Sequence, residues 1–347
     1  MPTISSAPNG GRADGSASAP PVAVLGECVA DAFTVPAAGG TPGPDAGTGA
    51  GPELPTLGLE VLPGGGPANT AVALARLGTP TRFLGRLSQD VFGRLFRAHL
   101  TASGVDLGPA VTASQPATLA VADLDAEGRA DYSFHAEGTA DWQWTDQELT
   151  TAAAAPMACL HTGSLALVRP PGAAAVERLL ERARERATVS LDPNVRPLLV
   201  DPAVYRERLP RWCAAADILR LSDDDLGHLL PGLDPAAAAD VFHGHGVRLV
   251  VVTLGGDGAL ASLDGERLRV PTPPVEVVDT VGAGDSFMAG LLHALHTGGA
   301  LGGRLDGLTT GLLAQALATG AAVAAATCAA RGANPPWKHQ MGGHRRS

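Results

Sequence analysis

A chain of 347 residues, 45% of them hydrophobic, is long enough to bury the core of one large α/β domain or two modest ones. Its 25 Lys and Arg against 35 Asp and Glu leave a net charge of −10, which argues against nucleic acid or an anionic membrane as a partner held by bulk charge. The four cysteines, Cys28, Cys159, Cys213 and Cys328, stand apart without C-x-x-C spacing, so they read as small core residues and not as a zinc site or disulfide framework.

Residues 1–20 are mostly Ser, Ala, Gly and Pro, the composition of a disordered leader, and no charged-then-apolar signal pattern opens the chain, which points to the cytoplasm. Val22 to Leu25 is a short apolar run ending at Gly26-Glu27, which predicts a first, buried strand; Asp31 follows it. Residues 36–56 form a low-complexity Gly/Pro insertion. Gly58 to Leu62 alternates as a strand does. Pro63-Gly64-Gly65-Gly66-Pro67-Ala68-Asn69-Thr70 then runs into a helix over Ala71 to Gly78. Pro67 and Asn69 fall where the dinucleotide fingerprint G-x-G-x-x-G does not allow them. Leu95 to Leu100 reads as part of a helix, and Gly104-Val105-Asp106 begins a loop. Thr118 to Leu124 and Asp131 to His135 alternate around Glu127-Gly128 as a hairpin.

From about residue 158, strands (158–161, 188–191, 218–221, 247–253) alternate with helices (172–186, 205–215, 223–230, 235–243). That order predicts a doubly wound, mainly parallel sheet flanked by helices, which takes its ligands at the carboxyl ends of the strands. Gly163-Ser164, Asp192 to Arg196, Ser222 to Asp225 and Thr253 to Gly258 all fall at such ends. Val275, Val277 and Val278 read as the end of another buried strand. Gly282-Ala283-Gly284 is a tight turn, and a helix starts at about Asp285. Glycines before a helix let several backbone N–H groups converge, and the helix dipole adds positive potential, so this turn suits a phosphate or a developing phosphoryl group. An acid at a helix start is most often an N-cap, but the Gly-Ala-Gly turn and Asp279-Thr280 before it shift Asp285 towards catalysis. No Walker loop is present. Leu312 to Ala330 is too Ala- and Gly-rich for a membrane span and reads as a buried helix.

Asp279, Thr280, Gly282, Ala283, Gly284 and Asp285 match the pattern D-T-x-G-A-G-D, and Gly64, Gly65, Ala68, Asn69 and Ala71 match G-G-x-x-A-N-x-A. These two strings resemble the signatures of the PfkB (ribokinase-like) carbohydrate kinases, and the resemblance extends over about residues 22–336. It implies an ATP-dependent sugar kinase with Asp285 as base and the Gly282, Ala283 and Gly284 amides as anion hole. It further implies sugar held by Asp31, Gly64, Gly65, Asn69 and Arg196, and nucleotide lying along Ser222, Thr253, Gly255 and Gly258. Ser222 and Asp225 occupy the Asn and Glu places of the family's N-x-x-E, whose acid organises Mg²⁺ at one remove. Asp279 is the candidate K⁺ ligand. A small β-sheet lid is implied from strands within 32–62 and 117–136, the insertion 36–56 lengthening one of its loops. Lid strands of the family pair between subunits, which makes a homodimer the expected assembly; residues 337–347 read as a frayed tail.

Gly138 to Trp142 and Asp192 to Arg196 resemble fructokinases most, which makes fructose the first expected substrate. A 2-keto-3-deoxygluconate kinase is the alternative, with Arg196 or Arg169 meeting the substrate acid; a non-catalytic sugar-binding relative is the reading from another class. At a helix N-terminus Asp285 is expected to stay ionised at neutral pH and to be a weak base.

Overall fold

The computed structural model describes residues 19–35, 56–124 and 130–341; the leader, the insertion and the Glu127-Gly128 turn expected from the sequence fall wholly or almost wholly outside the described residues. In chain order the elements are β1 (Val22–Leu25), β2 (Val29–Val35), β3 (Gly58–Gly64), α1 (Gly66–Arg76), β4 (Thr81–Leu84), β5 (Arg86–Ser88), α2 (Val91–Ala102), β6 (Val111–Ala113), β7 (Thr118–Leu124) and β8 (Ala130–His135). There follow α3 (Asp146–Ala152), β9 (Cys159–Gly163), α4 (Ala173–Ala183), β10 (Thr188–Asp192), α5 (Pro202–Ala215), β11 (Ile218–Ser222), α6 (Asp223–Leu229), α7 (Pro235–Gly244), β12 (Leu249–Thr253), β13 (Ala259–Leu263), β14 (Glu266–Val270), α8 (Ala283–Thr297), α9 (Thr310–Cys328) and α10 (Lys338–Met341).

Eight strands form the main sheet in the order β14-β13-β12-β11-β10-β9-β1-β4. From β12 to β4 every pairing is parallel, and β13 and β14 close one edge as an antiparallel meander. Parallel strands are covered on both faces, so their sequences are apolar at nearly every position. Leu25, Leu160, Leu191, Leu219 and Val250 belong to one buried cluster, and Val24, Cys159, Ile218, Leu249 and Val251 to the other. Helices start where the sequence supplies caps: Asp90 accepts from Gly93 N–H, and Asp201 and Asp234 each precede a proline at the first helical position.

A second sheet, β3-β2-β7-β8, leaves the first through the short turn between β1 and β2. The expected hairpin is its β7–β8 pair, and β2 joins β7 in parallel. Asp141 fixes this sheet to the core: one carboxylate oxygen accepts from Cys28 N–H at 3.0 Å and the other from Thr118 Oγ1 at 2.6 Å.

The Val275 to Val278 segment is not a strand. Pro271, Pro273 and Pro274 remove the donors a ladder needs, Val277 and Val278 lie 58% and 62% exposed, and the N–H groups of Val278 and Asp279 turn instead to the carbonyl of Cys328. The helix after it begins at Ala283, two residues earlier than the apolar spacing indicates, with Gly282 as N-cap at φ 76°. α9 is long and apolar enough, by length and composition, to cross a membrane, yet it lies against α8 with 44% of that stretch buried. The two helices touch at glycines, since a Cβ on Gly290 would stand 2.8 Å from the Gly320 Cα. Trp337, expected to fray, lies under the Arg76 guanidinium at 5.1 Å and leads into α10. Cys28, Cys159 and Cys213 are buried free thiols, and Cys328 is half-buried.

Candidate active site

The site forms where the carboxyl ends of β10, β11 and β12 meet the N-termini of α1 and α8. Parallel register sets Asp192 beside Gly163 and Ser222 beside Thr253. The turn from β3 into α1 packs its backbone onto this edge. Gly65 adopts φ 101°, a conformation that costs glycine little, and its neighbours are equally constrained by space. A Cβ on Gly64 would fall 2.0 Å from Asp31 Oδ2, and one on Gly66 would fall 2.7 Å from Asn194 Nδ2 and 3.1 Å from Asp285 Oδ1. The structure therefore gathers Asp31, Gly64, Asn69, Asn194 and Asp285 around one cleft.

Asp285 Oδ2 accepts a hydrogen bond from Asn69 Nδ2 at 2.9 Å. Burial pushes the carboxyl up to about 6; Asp192 pushes the same way, while the Asn69 hydrogen bond and the charges of Arg196 and Arg220 oppose it. The helix start thus does not hold this acid at an ordinary carboxylate value: Asp285 is still mostly ionised at neutral pH but is a better base than its position suggests. Burial likewise raises Asp31 to about 6.

The glycine turn differs in one respect from the expected three-amide anion hole. Ala283 N–H is directed to the carbonyl of Thr280 at 3.2 Å, within the turn. Of the expected set Gly282 and Gly284 are left, with Asp285 N–H joining Gly284 in the first turn of α8, where N–H groups have no intrahelical acceptor. Asp279 supports the turn from below, accepting from Val281 N–H at 3.0 Å and from Gly332 N–H at 2.8 Å.

Ser222 and Asp225 form a reciprocal cap at the start of α6. Asp225 Oδ2 accepts from Ser222 Oγ at 2.7 Å, and Oδ1 accepts from Val195 N–H at 2.7 Å. Asp225 is buried, and its carboxylate ties the 192–196 loop to β11. On the far side of the cleft the turn after β12 carries Gly255 at φ 54° and Gly258 at φ 91°; a Cβ on Gly258 would meet the Val270 carbonyl at 1.9 Å, whereas Gly255 faces open space.

Arg196 is exposed, its charge reaching Asp31, Asp192 and Asp285. Arg169 is committed elsewhere. It is 9% exposed, lies over Trp142 at 5.5 Å and pairs with Glu137. Sequence reasoning gave no role to Arg220 or Glu27 and named Asn194 only within the 192–196 motif. Glu27 is 2% exposed, bonded to Ser164, with burial lifting it to about 7. Arg220, a charge inside the apolar run Ile218 to Leu221, also carried a signal in the sequence.

The residues present fit a nucleotide, since a helix N-terminus, an open glycine turn and the Thr253 hydroxyl border one cleft. For a divalent ion the described residues offer no cluster of three or more His, Cys, Asp or Glu side chains. Such an ion would be carried chiefly by phosphate oxygens and water, as Mg²⁺ commonly is.

A doubly wound sheet with a glycine turn at a helix N-terminus, a carboxylate in that helix's first turn and a second sheet over the cleft define a phosphotransferase of the ribokinase-like class. The pfkB family carbohydrate kinase pattern matches residues 55–340, and the chain belongs to that family; it is a sugar kinase. It is 39% identical over 233 residues to a fructokinase of Rhizobium leguminosarum bv. trifolii, covering 67% of this chain and 71% of that one. Among solved structures it superposes on the fructokinase of Xylella fastidiosa with bound ATP at a TM-score of 0.77 and 26% identity, over 90% of this chain and 93% of the other. It superposes on a fructokinase double mutant of Vibrio cholerae O395 binding fructose, ADP and potassium ion at 0.74 and 25%, over 91% and 94%.

Proposed function

We propose that this protein transfers the γ-phosphoryl group of ATP to a primary hydroxyl of fructose. The observation that carries this reading is the Asp285 carboxylate, held by Asn69 in the first turn of α8 immediately after the glycine turn. In such a transfer the sugar hydroxyl attacks the γ-phosphorus and the bond to the bridging oxygen of ADP breaks. Asp285 takes the hydroxyl proton, and the Gly282 and Gly284 amides receive the charge on the transferred group. Asp31, Gly64, Gly65 and Asn69 orient the sugar hydroxyls, with Asn69 also fixing the rotamer of the base. Thr253, Gly255 and Gly258 line the nucleotide, and Ser222 stands beside them. Mg²⁺ brought with the nucleotide would neutralise phosphate charge, with Asp225 acting at one remove by holding the 192–196 loop. Asp279, which supports the turn before α8, would be the residue offered to K⁺. The four-stranded sheet serves as the lid and as the surface of a homodimer, and the ATP-rich cytoplasm is the compartment this reading expects.

The relatives' names support fructose. An acidic substrate would need a free cation, and with Arg169 engaged by Glu137 and Trp142, Arg196 is the one of the two candidate arginines open to it. Coupled ADP release with MgATP against fructose, 2-keto-3-deoxygluconate, ribose, adenosine and tagatose tests the reading. Selective turnover of fructose supports it. Selective turnover of the keto acid transfers the site to that substrate through Arg196. A folded protein that binds ATP and is silent on every sugar would sink it. Sedimentation at assay concentration showing monomer alone would remove the dimer.

A further inference from the structure

Arg220 is 6% exposed in a strand whose other core residues, Ile218, Leu219 and Leu221, are apolar. Its Nη1 donates to Asp192 Oδ2 at 2.7 Å and its Nη2 to Thr253 Oγ1 at 2.5 Å. The guanidinium lies against the backbone of Gly284, where an added Cβ would stand 2.5, 2.7 and 3.0 Å from Nη1, Nη2 and Cζ. One buried cation therefore joins the ends of β10 and β12 and packs against the first turn of α8, one residue before Asp285. Arg220 Nε and Asp192 Oδ1 have no hydrogen-bond partner among the described residues.

For stability alone this is a poor arrangement. Two desolvated charges with unmatched polar atoms hold strand ends together no better than apolar side chains of the same volume. The place of the charge is informative instead. The glycine turn is where negative charge gathers during phosphoryl transfer, and a fixed cation behind it strengthens that site at no cost in reorganisation. We infer that Arg220 is a positioning residue of the reaction: it sets the Gly282–Gly284 turn and the Asp285 carboxylate against the strand ends and gives the anion site a fixed positive charge, touching neither substrate. This rests on the kinase reading above.

The electrostatics agree with the geometry. Burial works against the charge on Arg220, and the carboxylates of Asp192, Asp225 and Asp285 outweigh it, holding the guanidinium above its ordinary value. Asp285 itself faces Asp192 from β10, Arg196 from the loop after it, Arg220 from β11 and the Asn69 amide from α1. Loss of Arg220 removes one of two cations and moves Asp285 upward.

The test compares wild type, Arg220→Met and Arg220→Lys in the full chain. Arg220→Met is expected to lose about 100-fold in kcat. Its sugar KM should stay within about threefold, and the acid limb of its pH profile should move up by about one unit. Arg220→Lys, which restores a charge, should recover most of both. Should a melting curve show Arg220→Met unfolded by its uncompensated Asp192, the double variant Asp192→Asn/Arg220→Met removes both charges together and should lose kcat as well. Wild-type kcat in either folded variant, an unmoved acid limb in Arg220→Met, or an Arg220→Lys as impaired as Arg220→Met overturns the inference. Silence of the wild type on every sugar counts against the kinase reading instead. The ¹³C titration of the Asp285 carboxyl in wild type and Arg220→Met then still decides: an upward move supports the role of Arg220, and no move overturns it.

Discussion

Asn69 and Asp285, 216 residues apart in sequence, meet through a 2.9 Å hydrogen bond between the first turns of two helices that enter the cleft from different parts of the chain. The bond couples the glycine-rich turn before α1 to the one before α8 and places a donor on the proposed base. Asn69→Leu keeps the approximate volume and removes the donor. The hydrogen bond lowers the Asp285 pKa, so its loss should raise that value above about 6 and release the carboxylate rotamer. A fall of about 10- to 100-fold in kcat/KM with the acid limb displaced upward is the expected outcome. A variant with the wild-type limb would show that Asn69 acts on the sugar alone.

Asp285→Asn should abolish turnover and leave the protein folded. It should also be more stable than the wild type above neutral pH. The sign follows from the raised pKa: the folded state binds this proton more tightly than the unfolded chain, so the wild type loses stability as pH rises from about 4 through about 6 and the deficit persists above. After discounting for the partial exposure of the side chain, relief of this cost is on the order of 1–2 kcal/mol. Melting temperatures of the two proteins should coincide near pH 4 and separate by pH 8. A near-normal rate in Asp285→Asn would remove the base assignment outright.

The two signature strings were legible because their chemistry is local. Glycines at Gly64, Gly65, Gly282 and Gly284 and the acid at Asp285 lie within a few residues of the helices they serve. The alternation of strands and helices after residue 158 carried the parallel sheet for the same reason. Arg220, Asn194 and Asp141 were not assigned, since what each touches is set by strand register and by the packing of α1 and α8, which spacing along the chain does not encode. The apolar character of Val275 to Val278 suggests a strand end, but the prolines at 271, 273 and 274 lack the N–H groups that a ladder leading into it would need. The Ala283 amide shows a further limit. Three N–H groups in a turn suggest three donors, but a turn closes by using one of them internally.

Gly64→Ala and Gly284→Ala should separate binding from chemistry. An alanine Cβ at position 64 would stand 2.0 Å from Asp31 Oδ2, so that carboxylate must leave its place, and the sugar KM should rise by about 10-fold or more with kcat less affected. At position 284 the Cβ would meet the Arg220 guanidinium at 2.5 Å, on the proposed anion side of the cleft, and kcat should fall by about 10-fold or more at little change in sugar KM. Equal effects on KM and kcat in both variants would contradict the division of the cleft into a sugar side at β3–α1 and an anion side at α8.

The C-terminal segment should prove part of the folded unit and not an appendage. Arg76, at the end of the helix that begins at the cleft, donates to Asn334 Oδ1 at 2.6 Å and to the Pro335 carbonyl at 2.8 Å, with Trp337 stacked beneath it. On the other side Gly332 N–H reaches Asp279, so residues 332–337 bridge the support of the glycine turn before α8 to the far end of α1. Trp337→Ala removes the ring from the cation, and at a partly exposed site that costs about 1 kcal/mol. Truncation after Arg331 removes the bridge altogether. It should lower stability by more than Trp337→Ala does and also reduce kcat, because Asp279 loses one of its two N–H donors and the turn before Asp285 loosens. A truncated protein with the wild-type melting temperature and kcat would show that the segment merely lies on the surface.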